Sequence, residues 1–473
     1  MAKLHEKKNR RTMRGAVRWL LIAAALLTAL CPSRRAGAAE AQTAEEISAQ
    51  CTFVAPKKEK AQKYLRDDSP KTAAEIPEGD EIRILWDAPV QGVYLEWNAA
   101  PSAFTLISLG DGQEELRRET FDAPLLNRFY PVAEDVRGVC IPAEEALSLS
   151  TLHVYGAGAL PESIHDWSPA AQACDLLLIS AHCDDELLYF GGTIPTYAGE
   201  RGDTVQLCYM AQGNRLRMNE AMNGLWLCGV RNEPIFLGLR DKYSESLETA
   251  ERQWGRDTVV QRLVEVIRQT RPQVIITHDL EGEYGHGAHR MTASCVVEAV
   301  QLAADASQDT ASAQRYGAWQ AKKLYLHLGQ EKPVLMDWRV PLDAFAGKTA
   351  LEMANEAYLC HVSQLEYHTA VHDSGDDNCA AFGLAFTTVG PDSGEPDFLN
   401  NIPPEDLTNY IPPTPSPSPT PEPTAEPTAL PAASTPLPQQ PQDAGRPSWI
   451  IPVAVMCAAA VATVLIVRKR KKK

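Results

Sequence analysis

Residues 175–192, Asp-Leu-Leu-Leu-Ile-Ser-Ala-His-Cys-Asp-Asp-Glu-Leu-Leu-Tyr-Phe-Gly-Gly, constrain the fold more than any other stretch of the chain. An apolar run ends abruptly at His182, Asp184, Asp185 and Glu186. Leu176 to Ile179 read as a strand buried on both faces, as in a parallel sheet. Four ionisable side chains then sit just past its carboxyl end, where open α/β sheets bind ligands. Burying such a cluster is costly unless a positive charge offsets it. A divalent metal is the natural offset, because imidazole and carboxylate are zinc-type ligands. His182 and Asp185 are three apart, so a tight turn or a first helical turn points both at one ion.

The chain around this stretch alternates strand and helix. Asp175–Ala181, Thr204–Met210, Pro234–Leu237, Val274–Thr277 and, last, Leu324–Leu328 read as strands. Leu187–Glu200, Leu216–Cys228, Thr258–Thr270 and Thr292–Ala304 read as helices. Strands separated by ten to fifteen helical residues mean a parallel sheet with right-handed crossovers, a Rossmann-like layer fold. No Gly-x-Gly-x-x-Gly follows the first strand, which disfavours a dinucleotide site.

A second motif, Tyr284-Gly285-His286-Gly287-Ala288-His289, follows the apolar run Val274-Ile275-Ile276-Thr277. With Ala181-His182-Cys183-Asp184-Asp185-Glu186 it resembles the PIG-L/LmbE family of zinc-dependent N-deacetylases. That family carries Pro/Ala-His-Pro-Asp-Asp-Glu and a later His-x-x-His. The resemblance covers roughly residues 172–390. A helix expected at about Lys348–Tyr367, with Lys348, His361, Ser363 and Gln364, is similar to the family's C-terminal part. Two positions depart from the pattern. Cys183 replaces a proline, removing a rigid φ and placing a thiol beside the metal, either as a neutral swap or as a redox-sensitive or extra ligand. Ala288 replaces an acid, whose loss weakens the charge state of His286.

Amide hydrolysis needs an activated water, an oxyanion stabiliser and a proton for the leaving nitrogen. A zinc with three protein ligands keeps a position open for water. His182, Asp185 and His289 supply that set, with one Zn2+ per chain, and the resemblance implies the same positions. Asp184 is the expected general base. His286 either holds a charge near the oxyanion or donates to the leaving amine, and Tyr284 adds an O–H donor. Arg217 and Asp241 match positions the family uses near substrate. The plainer reading makes Asp184 or Glu186 an N-cap or first-turn acid, or makes Glu186 an orienting group behind a ligand. His278, His327 and His361 read as ordinary polar or core histidines.

Residues 51–165 read as β. Ile82, Ile84 and Trp86 alternate, followed by Val93, Leu95 and Trp97, then Phe104 and Leu106, Val139–Ile141 and Leu152–Tyr155. That spacing suggests a β-sandwich, either of the carbohydrate-binding type or a structural spacer. The fold class is therefore α/β, with a small β-sandwich ahead of the deacetylase-like domain.

The ends of the chain are patterned for export and anchoring. Lys3 to Arg18 is basic, Trp19 to Cys31 is apolar, and Ala36-Gly37-Ala38 is a small-x-small site, so residues 1–38 read as a signal peptide. Residues 403–448 read as a Pro/Thr/Ser-rich stalk of polyproline type; residues 411–441 alone hold twelve prolines and no glycine. Residues 449–467 carry no charge and read as one transmembrane helix. Residues 468–473 are all basic and mark the cytoplasmic side. Residues 1–39 carry nine Lys or Arg and one Glu, and the tail carries six cations, so the part between carries about −30. Such a charge excludes a nucleic-acid binder.

Eleven cysteines occur without a Cys-x-x-Cys. Cys51 with Cys140, and Cys360 with Cys379, are candidate disulfides. Cys174, Cys208 and Cys228 read as buried thiols. The expected function is a membrane-anchored, extracytoplasmic N-deacetylase of N-acetylglucosamine-type sugars in surface or environmental glycans. The alternatives are a non-catalytic glycan-binding protein and an amidase acting on a non-sugar N-acyl substrate.

Overall fold

The computed structural model describes residues 43–410, except 55–58, 68, 70–71 and 123. The expected signal peptide, the stalk beyond Tyr410, and the span 449–467 with its basic tail lie outside the described residues. Among the described residues no helix is long and apolar enough to cross a membrane.

The described residues of the first part form nine strands: β1 (Thr52–Val54), β2 (Ala74–Ile76), β3 (Glu81–Leu85), β4 (Gly92–Ala99), β5 (Ala103–Leu109), β6 (Glu115–Asp122), β7 (Asn127–Pro131), β8 (Gly138–Pro142) and β9 (Leu147–Tyr155). They make two sheets, β1-β3-β8-β5-β6 and β2-β9-β4-β7. Ile82, Ile84, Val139 and Ile141 of one sheet share a single buried cluster with Val93, Leu95, Trp97 and Leu152 of the other. This is a sandwich closed by alternating inward side chains. Strand β6, Glu-Leu-Arg-Arg-Glu-Thr-Phe-Asp, is exposed along nearly its whole length. It has no apolar alternation and so carries no strand signal.

The second part is a seven-stranded sheet in the order β12-β11-β10-β13-β14-β16-β15. Its strands are β10 (Cys174–His182), β11 (Val205–Ala211), β12 (Ile235–Phe236), β13 (Pro272–Thr277), β14 (Lys323–His327), β15 (Pro333–Leu335) and β16 (Ala381–Thr387). The first five in that order are parallel. Strand β16 runs antiparallel to β14 and β15. The sheet is therefore mixed, and β14 is not its last strand, which corrects the purely parallel expectation.

The pleat sorts the central residues between two cores. Leu176, Leu178, Val274 and Ile276 pack on one face with Met222 and Leu225. Leu177, Ile179 and Ile275 pack on the other with Leu263, Ile267, Met291 and Val296. The covering helices include one at Arg215–Leu227, one at Arg256–Thr270, one at Gly287–Ala303 and one at Ala350–Tyr358.

Three helical expectations are corrected. The helix expected over Leu187–Glu200 is broken into a turn at Asp185–Leu188 and a π-helical segment at Pro195–Glu200. The break falls at Gly191, which has φ +40° and whose added Cβ would lie 2.3 Å from Cys379 Sγ. The helix expected to begin at Thr292 begins at Gly287, so His289 sits in its first turn rather than on a loop. The helix expected over Lys348–Tyr367 stops at Tyr358, and residues 362–367 are turns. A helix at Leu247–Trp254 was not expected.

The fold also runs past residue 390. Thr408 N–H donates to Asp175 Oδ1 at 2.8 Å, and Lys323 Nζ donates to the carbonyls of Phe398 and Asn400. Residues 403–410, the expected start of the stalk, are thus folded onto the sheet. Neither candidate disulfide forms: the nine described cysteines are free thiols, and all but Cys360 are buried. Cys51 instead donates to Ile47 O, and Cys140 to Glu81.

Candidate metal centre

Strand β10 ends at His182, and the chain turns at once into Asp185–Leu188. The turn is tight because Asp185 Oδ2 accepts the His182 backbone N–H at 2.8 Å. The same oxygen lies 3.0 Å from His182 Nδ1. Between them, Asp184 takes φ +142°, ψ −29°, a region costly for a residue with a Cβ. It occupies the N-cap position yet makes no capping bond. Its Oδ1 accepts from Arg217 Nη2 at 2.8 Å, and its backbone N–H donates to Glu186 Oε2. Glu186 therefore braces the backbone of Asp184 rather than a ligand side chain, and it is itself paired with His361 at 3.1 Å.

The histidine segment is built around a residue that sequence reasoning missed. Glu283 is buried, and three imidazoles converge on its carboxylate. His278 Nδ1 and His289 Nδ1 lie 2.8 Å from its Oε2, and His327 Nδ1 lies 2.6 Å from its Oε1. Burial alone would raise this carboxyl, but His278, His289 and His327 hold it well below the usual range. His278 Nε2 accepts the Ala181 N–H at 2.9 Å, so its proton sits on Nδ1, facing Glu283. With both nitrogens engaged, His278 has no lone pair left for a metal. His278 and His327 thus link strands β13 and β14 to the site through one carboxylate. Glu283 is five and six residues from two of its partners and 44 from the third, a spacing that matches no helix or strand period.

Fixing the Nδ1–H of His289 on Glu283 leaves its Nε2 for the centre. That atom lies 3.3 Å from His182 Nδ1 and 3.3 Å from Asp185 Oδ2. A tetrahedral zinc with bonds of about 2.0–2.1 Å needs ligand atoms roughly 3.3–3.4 Å apart. The three edges, 3.0, 3.3 and 3.3 Å, fit one small ion. Burial would lower His289, but Asp185 and Glu283 raise it to about 10. A proton is thus held where a cation would take its place.

Two further overlapping groups, His182–His286–His289 and Asp185–His278–His289, also bring ligand atoms within 4.8 Å of one another. The bonds of His278 remove it from the second. His286 Nδ1 accepts the Ala288 N–H at 3.2 Å. Burial, followed by the neighbouring His289 and His182, lowers His286 to about 3. It is a neutral ring with its proton on Nε2, which corrects the expectation of a charge there.

Seven of the expected site residues line one cleft of about 480 Å³: His182, Asp184, Asp185, Arg217, Asp241, Tyr284 and His286. The eighth, His289, is buried next to His182. Arg217 spans Asp184, Asp241 (3.0 Å) and the Cys183 carbonyl (2.6 Å), so it holds the acids in place. Burial and the Asp185 charge push Asp184 up to about 8, against Arg217, which lowers it. Tyr243, Tyr284 and Tyr367 rim the cleft and stay more than 60 % exposed.

Neither departure from the family pattern disturbs the centre. The Cys183 side chain is fully buried in the apolar core beside Leu187 and Tyr209, so it is neither an extra ligand nor an accessible thiol. Ala288 is buried, and the acid that partners the last histidine is Glu283. Lys348 pairs with Glu356 on the surface, away from the cleft.

Two histidines and a carboxylate, brought together by the end of β10 and the first turn of the Gly287–Ala303 helix, give an α/β protein a cluster able to hold one cation. Comparison with known proteins narrows the class. The family model described as GlcNAc-PI de-N-acetylase, PIG-L, matches residues 177–300. A 1D-myo-inositol 2-acetamido-2-deoxy-alpha-D-glucopyranoside deacetylase of Thermobifida fusca is 30% identical over 210 residues, covering 37% of this chain and 71% of that protein. The protein of the same description from Rhodococcus erythropolis is 30% identical over 265 residues, covering 49% and 87%. The N,N'-diacetylchitobiose deacetylase of Pyrococcus horikoshii is 21% identical, covering 41% of this chain and 71% of that structure, with a TM-score of 0.33. The chain belongs to the PIG-L/LmbE family.

Proposed function

We propose that the protein is a metal-dependent N-deacetylase of N-acetylglucosamine-type sugars, exported and held at a membrane by residues 449–467. The observation that carries this reading is the triangle of His182 Nδ1, Asp185 Oδ2 and His289 Nε2, with edges of 3.0–3.3 Å. The relatives that match most of their length act, by name, on a 2-acetamido-2-deoxy-glucopyranoside. A pocket rimmed by exposed tyrosines suits the apolar face of a sugar ring.

His182, Asp185 and His289 would hold the ion, which when bound supplies Lewis acidity at this point. Asp184 takes a proton from the attacking water, a task suited to a carboxyl raised toward neutrality. The water oxygen bonds to the acetyl carbon, the carbon–nitrogen bond breaks, and the proton passes to the nitrogen, giving acetate and an amine. The neutral His286 N–H and the Tyr284 O–H donate to the carbonyl oxygen as charge grows on it. Arg217 positions Asp184, and Asp241 offers an acceptor to sugar hydroxyls.

The test is metal content by mass spectrometry on the purified protein, with acetate release from an N-acetylglucosamine panel. One zinc per chain together with acetate release is expected. Protein that stays metal-free after zinc is added, or zinc-loaded protein that releases no acetate from any N-acetylhexosamine, would overturn the reading. For location, protease added to intact cells is expected to remove the body and leave a membrane-embedded fragment.

A further inference from the structure

A second cleft, larger than the first at about 660 Å³, opens between the sandwich and the α/β sheet. Both parts lie in the same compact unit. The sandwich contributes Asn127 and Thr151 to the lining, and the Arg215–Leu227 helix contributes Asn219 and Asn223. The parts are tied together beside it: Arg215 Nη2 donates to Asn127 Oδ1 at 2.6 Å, and the Leu126 N–H donates to Glu233 at 2.7 Å.

The two clefts share a wall. Leu216 lines the second cleft and Arg217 the first; Ser363 lines the second and Gln364 the first. Gln364 Nε2 donates to Ser363 Oγ at 2.8 Å, and that hydroxyl donates in turn to Glu220 at 2.6 Å. Consecutive residues of one helix and of one turn thus face the two clefts, which places the second cleft behind the wall of the first. The chemistry of the lining is that of a polyol site. Amides and hydroxyls of Asn127, Thr151, Asn219, Asn223 and Ser363 alternate with the apolar Leu216 and Val362, no Lys or Arg lines it, and Glu96 and Glu220 disfavour anions. Asn219 Oδ1 has no hydrogen-bond partner, leaving an acceptor to be filled. The volume lies within the about 300–1,000 Å³ of small-molecule sites, so it has room beyond a single ring.

We propose that this cleft binds the neighbouring units of an N-acetylhexosamine chain whose reacting unit sits at the metal centre, so that the sandwich takes part in substrate binding. The inference rests on the deacetylase reading for the reacting unit. It makes the preferred substrate an oligomer rather than a single sugar.

The experiment compares kcat/KM for acetate release from N-acetylglucosamine and from its β-1,4-linked tetramer, using the zinc-loaded protein. The tetramer is expected to be favoured at least about tenfold, which corresponds to 1.4 kcal/mol. Asn223 is exposed on its helix, so Asn223→Trp fills the cleft without disturbing the core. It is expected to remove most of that preference, and Asn219→Ala to reduce it less. In parallel, calorimetry measures tetramer binding to Asp184→Asn protein with and without Asn223→Trp. Equal kcat/KM for the two substrates, or a preference untouched by Asn223→Trp, overturns the cleft while leaving deacetylation standing. Absence of acetate release from either substrate overturns the deacetylase reading. The calorimetry then decides the cleft alone: binding weakened by Asn223→Trp supports it, and unchanged or absent binding removes it.

Discussion

Two glutamates, one at the candidate metal centre and one where the sandwich meets the sheet, meet burial in opposite ways. Glu283 is fully buried, yet three imidazoles keep its carboxyl well below the usual range. Glu233 receives one backbone N–H from Leu126 and the more distant charge of Arg215, and burial raises it to about 7. Burial penalises the charged form of both, and the number of charge-assisted donors decides which stays ionised. At the centre the charge is used, because it fixes the Nδ1–H of His289 and leaves Nε2 for an ion. At the junction the charge has only the more distant Arg215 to act on, and the carboxyl takes up a proton near neutrality. Asp184 is raised further than Glu233, pushed up to about 8 by burial and by Asp185 although Arg217 restrains it.

The strongest way to break this contrast is to remove the group that the glutamate serves. His289→Ala deletes one edge-sharing ligand and leaves Glu283 with an unfilled side. The expected result is loss of bound zinc by mass spectrometry, with acetate release at background. Retention of one zinc per chain would mean that another atom takes the position of His289 Nε2.

Asp184→Asn removes the most strongly raised of the three carboxyls but no proposed ligand. Zinc content is expected to stay at one per chain, while the rate of acetate release falls by about 10²–10⁴, the usual contribution of a general base. A parallel loss of metal would move Asp184 from base to ligand.

Glu283→Gln sharpens the comparison directly, since it makes the centre's glutamate as neutral as a protonated Glu233. Chelator competition is expected to show zinc bound about 10–100-fold more weakly, the usual cost of losing a ligand's carboxylate partner. Unchanged affinity would show that the three imidazoles do not need the charge.

The smallest effect is expected at the junction, and its sign depends on pH. The carboxyl of Glu233 is raised from 4.5 to about 7 in the folded state, so the folded chain holds that proton more tightly than the unfolded one. The resulting stabilisation is complete below about pH 4.5 and is lost as pH rises through 7. Glu233→Gln keeps an acceptor for the Leu126 N–H and has no charge to bury. Thermal unfolding is expected to find it more stable than the parent at pH 8, by on the order of 1 kcal/mol, and equal to it near pH 4.5. A gain of the same size at both pH values would trace the effect to packing instead.

Much of the α/β part is legible in the amino-acid order alone. Strand β10 and the ligands at its end lie in one contiguous motif, and the apolar runs of β11 and β13 record burial on both faces. Asp184 is readable as a site residue but not in its conformation. Its φ of +142° follows from closing the His182–Asp185 turn, which residue types alone do not show. Strand β6 leaves no trace because its side chains face solvent on both sides. Strands β15 and β16 escape notice because β15 is only three residues long and β16 follows a long connection after the Ala350–Tyr358 helix, so neither repeats the strand–helix rhythm.

Read alone, the chain specifies its buried central strands, the His182, Asp185 and His289 set, and the family they mark. Each part is read from a short segment that carries its own burial pattern or ligands, even though His289 meets His182 from 107 residues away. Three features emerge only when the chain is folded: His278, His289 and His327 share Glu283, Arg217 restrains Asp184, and the sandwich lines a second cleft. The reason is physical: a polar group's partner is set by which strands become neighbours across the sheet, and residues far apart in the chain leave no periodic mark of that meeting.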